Sequence, residues 1–224
     1  MKKLERELED LRESIARMGD LAQSMVAEAV AAIFEPGDDS HYERVQAEEA
    51  RLDQMQLDVD KQAIRLLTVY GPVAANLRLV LSVTRINSEL ERIGDQTVSM
   101  CNHVQLMASK SDCAPLPQFR GMSKLVRAML DDTLKAFRLD DSRKALATMA
   151  GDNLVDVLND EIIRELLSDG QSERAPKDIA EAVAQIMISQ SLERIGDQAC
   201  NVCEQIVYMV EGADIRHGPK TTGK

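Results

Sequence analysis

Tryptophan is absent from the 224 residues, which include only three Phe and three Tyr. Strands are enriched in aromatic and β-branched side chains, so this scarcity makes helix the expected element. Histidine is limited to His41, His103 and His217. None of them forms the Glu-x-x-His pairing that carboxylate-bridged di-iron oxidases place on bundle helices, which argues against a redox enzyme. A Gly-rich phosphate loop, a Ser-His-Asp ordering and a nucleophile elbow are also missing, so the chain reads as a non-enzyme. The four cysteines are too few to staple a secreted scaffold of this length and suit a reducing compartment. Cys200 and Cys203 form a Cys-x-x-Cys inside a helical pattern, without a second pair or a nearby His, and read as packing residues, with zinc or redox chemistry as the alternative. No apolar run approaches the roughly 18 residues of a membrane span. Met1 to Asp20 alternates charge and apolar residues instead of opening as a leader, so a cytoplasmic protein without membrane insertion is expected. Nor is there a basic cluster: the net charge is -11 with a pI near 4.8, which excludes wrapping nucleic acid and favours cations or basic protein faces as partners.

What is present is helical periodicity. Leu4, Leu8, Leu11, Ile15, Met18, Ala22, Met25 and Ala29 recur at spacings of three and four, predicting a first helix from Met1 to Phe34. Glu35-Pro36-Gly37 stops it, and Asp38-Asp39-Ser40 offers caps for a second helix to about Val69. Gly71-Pro72 then punctuates, with Pro72 suited to the first turn of a third helix reaching about Ser109. After Cys113 to Pro117 the pattern restarts, with a helix from about Gln118 to Leu139, a cap at Asp140-Asp141-Ser142, and a last helix from about Ser172 to Glu211.

This restart is a repeat. An offset of 102 residues carries Leu90-Glu91-Arg92-Ile93-Gly94-Asp95-Gln96 onto the identical Leu192 to Gln198. The expected fold is therefore all-α, two tandem three-helix bundles made of six long antiparallel helices: residues 1–110, residues 115–212, and a flexible tail over 213–224.

Residues four apart share a helix face, so Glu91 with Asp95 and Glu193 with Asp197 present paired carboxylates. The preceding helix of each half carries another pair, Glu49 with Asp53 and Asp152 with Asp156, while Asp60 and Asp160 extend the row. The stretches from Asp53 to the turn and from the turn to Glu91 are nearly equal in length, so the pairs can arrive face to face. A single Glu-x-x-x-Asp is usually a solvated face with ordinary salt bridges. Four such carboxylates in each of two repeats point to a multivalent cation, and oxygen-only ligands suit magnesium, calcium, manganese, ferric iron or zinc. Gly94 and Gly196, mid-helix, predict either close approach of a backbone or bound group, or tight helix packing.

With these residues in view, the chain resembles the PhoU family, which carries a Glu-Arg-Ile-Gly-Asp signature once in each of two three-helix repeats. The match runs over residues 1 to 212 and includes Tyr70-Gly71-Pro72 followed by Asn76-Leu77-Arg78, where Asn76 stands for the family's Asp. The resemblance implies multinuclear metal clusters, of iron or zinc with manganese or magnesium as alternatives, held by Glu49, Asp53, Glu91, Asp95, Asp152, Asp156, Glu193 and Asp197. The family's Asn four residues beyond the motif Asp is kept as Asn201 in the second half but is Ser99 in the first. It further implies a homodimeric regulatory adaptor of phosphate uptake. Such a protein negatively regulates the phosphate-starvation response through a sensor histidine kinase and the ATPase subunit of the phosphate ABC transporter, at the cytoplasmic face of the inner membrane. The competing expectation is a helical scaffold or dimerisation module whose carboxylates are solvated.

Overall fold

The computed structural model describes residues 2–35, 37–108, 114–168 and 179–216. All regular structure among them is α-helical: α1 (Lys2–Phe34), α2 (Asp39–Tyr70), α3 (Ala74–Ala108), α4 (Gln118–Leu139), α5 (Ser142–Met149), α6 (Asp152–Leu167) and α7 (Ile179–Glu211). The stripe seen in the sequence is the buried face of α1, with Leu11, Ile15, Met18, Ala22, Met25 and Ala29 essentially inaccessible. The expected tail, 213–224, is described only to Arg216; Cys113, the start of the last helix before Ile179, and His217 lie outside the described residues.

Local chemistry explains the boundaries. Asp38 caps α2 by accepting from the Ser40 amide at 2.9 Å, and Gly71 ends it in the left-handed region (φ 53°), a conformation cheap only without a Cβ. Pro72 does not enter the first turn of α3, which begins two residues later at Ala74. In the second half the cap is displaced by one residue: Asp140 closes α4 and Asp141 opens α5, accepting from the Lys144 amide at 2.9 Å.

The second half also departs from the expected single long helix. One more residue separates Ser142 from Asp152 than separates Ser40 from Glu49, and the chain absorbs it by breaking the helix at Ala150–Gly151. The Gly151 amide bonds the Thr148 carbonyl and the Leu154 amide bonds that of Gly151, both at 3.0 Å with three-residue spacing. Seven helices therefore stand, among the described residues, where six were expected.

α1, α2 and α3 form one bundle, and α4, α5/α6 and α7 the other. They are joined by α3 against α7 and, more narrowly, α1 against α4, so a single apolar core runs through both. α7 is buried on most of its circumference, as befits a central helix. Arg78 packs on Gly212, the Arg85 guanidinium donates to Gln205 at 3.1 Å, and Asn201 donates to Glu89 at 3.2 Å. These contacts fix an antiparallel register in which the two Glu-Arg-Ile-Gly-Asp segments lie level with each other at mid-interface.

Candidate metal centre

That register sets one carboxylate group between α2 and α3 and the other between α6 and α7, flanking the central helix pair. In the first, antiparallel packing brings Glu49 opposite Asp95 and Asp53 opposite Glu91. Burial, then Asp53 and Asp95, raise the Glu49 carboxyl above its ordinary range. Glu91 is raised by burial, then Asp95 and Asp53, with Arg92 opposing. Asp95 is raised by burial and Asp53. In the second, Glu193 is raised by burial, then by Asp197, Asp156 and Asp152, with Arg194 opposing. All eight expected carboxylates thus fall into two facing groups of four.

The floor beneath the first group explains its glycine. A Cβ on Gly94 would stand 2.3 Å from Cδ2 of Leu52, a buried side chain set between Glu49 and Asp53. The glycine is there for tight helix packing directly under the carboxylates. In the second half the equivalent floor residue is the smaller Val155, 3.6 Å from a Cβ on Gly196, so no steric demand exists there.

The outlying members of the row are engaged elsewhere. The buried Asn87 amide donates to Asp60 at 2.9 Å and to the Gln56 carbonyl at 3.0 Å. Asp160 faces Arg164 at 3.8 Å on an exposed surface, and Asn201 reaches across to Glu89. The three described cysteines behave as packing residues: burial pushes Cys203 up to about 11 and Cys101 up to about 12, and burial together with Asp152 pushes Cys200 up further. Such thiols are poor nucleophiles.

The donor set fits multivalent cations. It consists of carboxylates alone, of which Glu49, Glu91, Asp95 and Glu193 are raised by burial and then by their neighbours' charge, with the exposed Arg92 and Arg194 opposing at Glu91 and Glu193. Like charges stand apart: among the described residues, no three of these eight offer oxygens all within 4.8 Å of one another. The triad that does approach so closely is Glu35, Asp38 and His41, at the α1–α2 turn, and sequence reasoning gave it no role. His41 is 7% exposed. Its Nδ1 lies 2.8 Å from Glu28, which also accepts from Nε of Arg44 at 2.9 Å, and its Nε2 lies 3.2 Å from Glu35. The Glu28 hydrogen bond and Glu35 raise the imidazole's pKa against burial and Arg44. The available signal was a His three residues after a capping Asp, with a Glu across the turn.

The PhoU domain model matches residues 15–104 and 119–206, one copy in each half. The phosphate-specific transport system accessory protein PhoU homolog of Pseudomonas putida is 32% identical over 212 residues, covering 94% of this chain and 82% of that one. The PhoU protein of Escherichia coli is 29% identical over 211 residues, covering 94% and 86%. The crystal structure of PhoU from Pseudomonas aeruginosa superposes with a TM-score of 0.87 at 30% identity, covering 93% of this chain and 99% of that one. That of the phosphate transport system regulatory protein PhoU from Streptococcus pneumoniae gives 0.86 at 26%, covering 94% and 98%.

Proposed function

The chain belongs to the PhoU family, and we propose that it is an accessory regulator of phosphate uptake, acting as a metal-binding adaptor between the phosphate ABC transporter and a sensor histidine kinase that governs the starvation response. The observation that carries the metal part of this reading is the pair of facing carboxylate groups at one level of the α3–α7 interface. Glu49, Asp53, Glu91 and Asp95 would hold one cluster; Asp152, Asp156, Glu193 and Asp197 would hold the other. Iron and zinc accept such donors, as do manganese and magnesium. A bound cation relieves the repulsion among four carboxylates and pins α2 to α3 and α6 to α7, stiffening the faces that partners read. The adaptor part rests on the names of the relatives, on long helices that offer extended faces, and on a net charge of -11 that steers basic partner surfaces. The protein works at the cytoplasmic face of the inner membrane, as a homodimer; no helix among the described residues is long and apolar enough to cross a membrane.

The test is a phosphate-starvation reporter in cells lacking the native gene. The wild-type chain restores repression in high phosphate, and the Glu91→Ala/Asp95→Ala and Glu193→Ala/Asp197→Ala variants restore it less well. Full repression by a chain lacking both pairs would leave only the scaffold reading, in which the carboxylates are solvated.

A further inference from the structure

A surface groove lies away from both carboxylate groups, between α1 and α4. These helices run antiparallel, Arg12 meeting Asp140, Gln23 meeting Asp131, and Arg120 lying over the Phe34 ring at 4.7 Å. The groove, of about 650 Å³, extends from Gln23 to Glu35 on one side and from Arg120 to Asp131 on the other. At about 1.5 Å rise per residue each wall is roughly three helical turns long. Val26, Val30 and Leu130 make an apolar floor, and the small side chains of Ala27, Ala31 and Ala128 keep it open to another backbone.

Its α4 wall is positive. Arg120, Lys124 and Arg127 stand at i, i+4 and i+7, all exposed. Among the described residues none of the three forms an ion pair, although Arg12, Arg44, Arg65, Arg138 and Lys144 all have carboxylate partners. The acids at the two ends are already engaged, Asp131 by Lys135 and Gln23 and Glu35 by His41. A chain of net charge -11 thus keeps a cationic stripe without carboxylate partners among the described residues, beside an apolar trough. A second observation lies in the same trough: Ser123, 2% exposed, has a buried hydroxyl without a hydrogen-bond partner.

We infer that the α1–α4 groove docks an amphipathic helix of a protein partner, about three turns long, whose apolar stripe fills the trough and whose Asp and Glu residues at i, i+4 and i+7 meet Arg120, Lys124 and Arg127. This is helix-in-groove recognition, with charge setting orientation and partner choice. It rests on the adaptor reading only in taking the occupant from a protein.

The test titrates the full chain into a fluorescently labelled synthetic helix of about four turns that carries a leucine stripe flanked by glutamates, with a lysine-flanked version as control. The glutamate helix binds and the lysine helix does not. Lys124→Glu/Arg127→Glu weakens binding by about tenfold or more, the matched reversal Lys2→Glu/Lys3→Glu leaves it unchanged, and added salt weakens it. Circular dichroism confirms that both variants are folded. Equal binding of the two helices, no binding of either, or indifference to the Lys124/Arg127 reversal overturns the proposal. So does displacement of the helix by millimolar inorganic phosphate or citrate when sodium chloride of equal ionic strength displaces none, since that marks a small-anion site. Titration of the transporter ATPase and of the kinase's cytoplasmic region into the wild-type chain judges the adaptor reading separately, and that reading can fail while the helix still binds.

Discussion

His41 and the two motif glycines show how much one side chain decides here. The imidazole is held by Glu28 and Glu35, and its pKa is raised on folding. A raised basic group contributes stability that is full below its unfolded pKa of about 6.5 and is lost as pH rises through the folded value. His41→Gln therefore lowers the melting temperature at pH 6 and changes it less at pH 9, read by thermal denaturation across that range. The glycines predict an asymmetry between halves. Gly94→Ala forces Leu52 out of place and costs about 1–3 kcal/mol, an overpacking penalty. Gly196→Ala meets only ordinary contacts with Val155, and gains up to about 1 kcal/mol of helix propensity. Urea denaturation of the two variants separates them, and equal effects would contradict the packing account. Leu52 lies between Glu49 and Asp53, so Gly94→Ala also disturbs the carboxylates above it.

At the scale of helices, most of the architecture was legible in the sequence because periodicity and caps are local signals. The stripe of α1, the stop at Glu35 to Gly37 and the repeat offset all fell where the structure has them. The break between α5 and α6 did not show: a one-residue excess can be absorbed anywhere in a helix, and the sequence carries no local sign that it falls at Ala150–Gly151, where Gly151 lies against Met129 of α4. The displaced cap at Asp141 is a second case, since Asp140 and Asp141 are equally good caps on paper. Asp141→Ala removes the acceptor for the Lys144 amide and costs about 1 kcal/mol, whereas Asp39→Ala, at the first residue of α2 and not its cap, costs less; chemical denaturation measures the difference. The carboxylate face was legible because spacing of four on two antiparallel helices nearly dictates who meets whom. Two features were not. The His41 triad forms across a turn, and the cation stripe of α4 matters only because α1 lies beside it.

At the scale of the molecule, the antiparallel α3–α7 register turns a sequence repeat into two carboxylate groups at one level, with a single core supporting both. In the metal-free protein, burial and then neighbouring carboxylates hold Glu49, Glu91, Asp95 and Glu193 above their ordinary pKa. Groups so raised favour the folded state at low pH and cease to do so as pH rises through their folded values. The metal-free chain accordingly gains stability as pH falls from neutrality toward about 4.5, and Glu91→Gln/Glu193→Gln flattens that slope. On the proposed metal-binding reading, a cation held by either group would flatten it as well, because it would relieve the repulsion without protons.

The most direct measurement is elemental analysis of protein purified without chelator, comparing wild type with the Glu91→Ala/Asp95→Ala and Glu193→Ala/Asp197→Ala variants. The account predicts iron, zinc or a similar cation bound at both groups in the wild type, and each variant losing the share held by its own half. A wild-type chain that stays metal-free after incubation with iron, zinc, manganese and magnesium would contradict it.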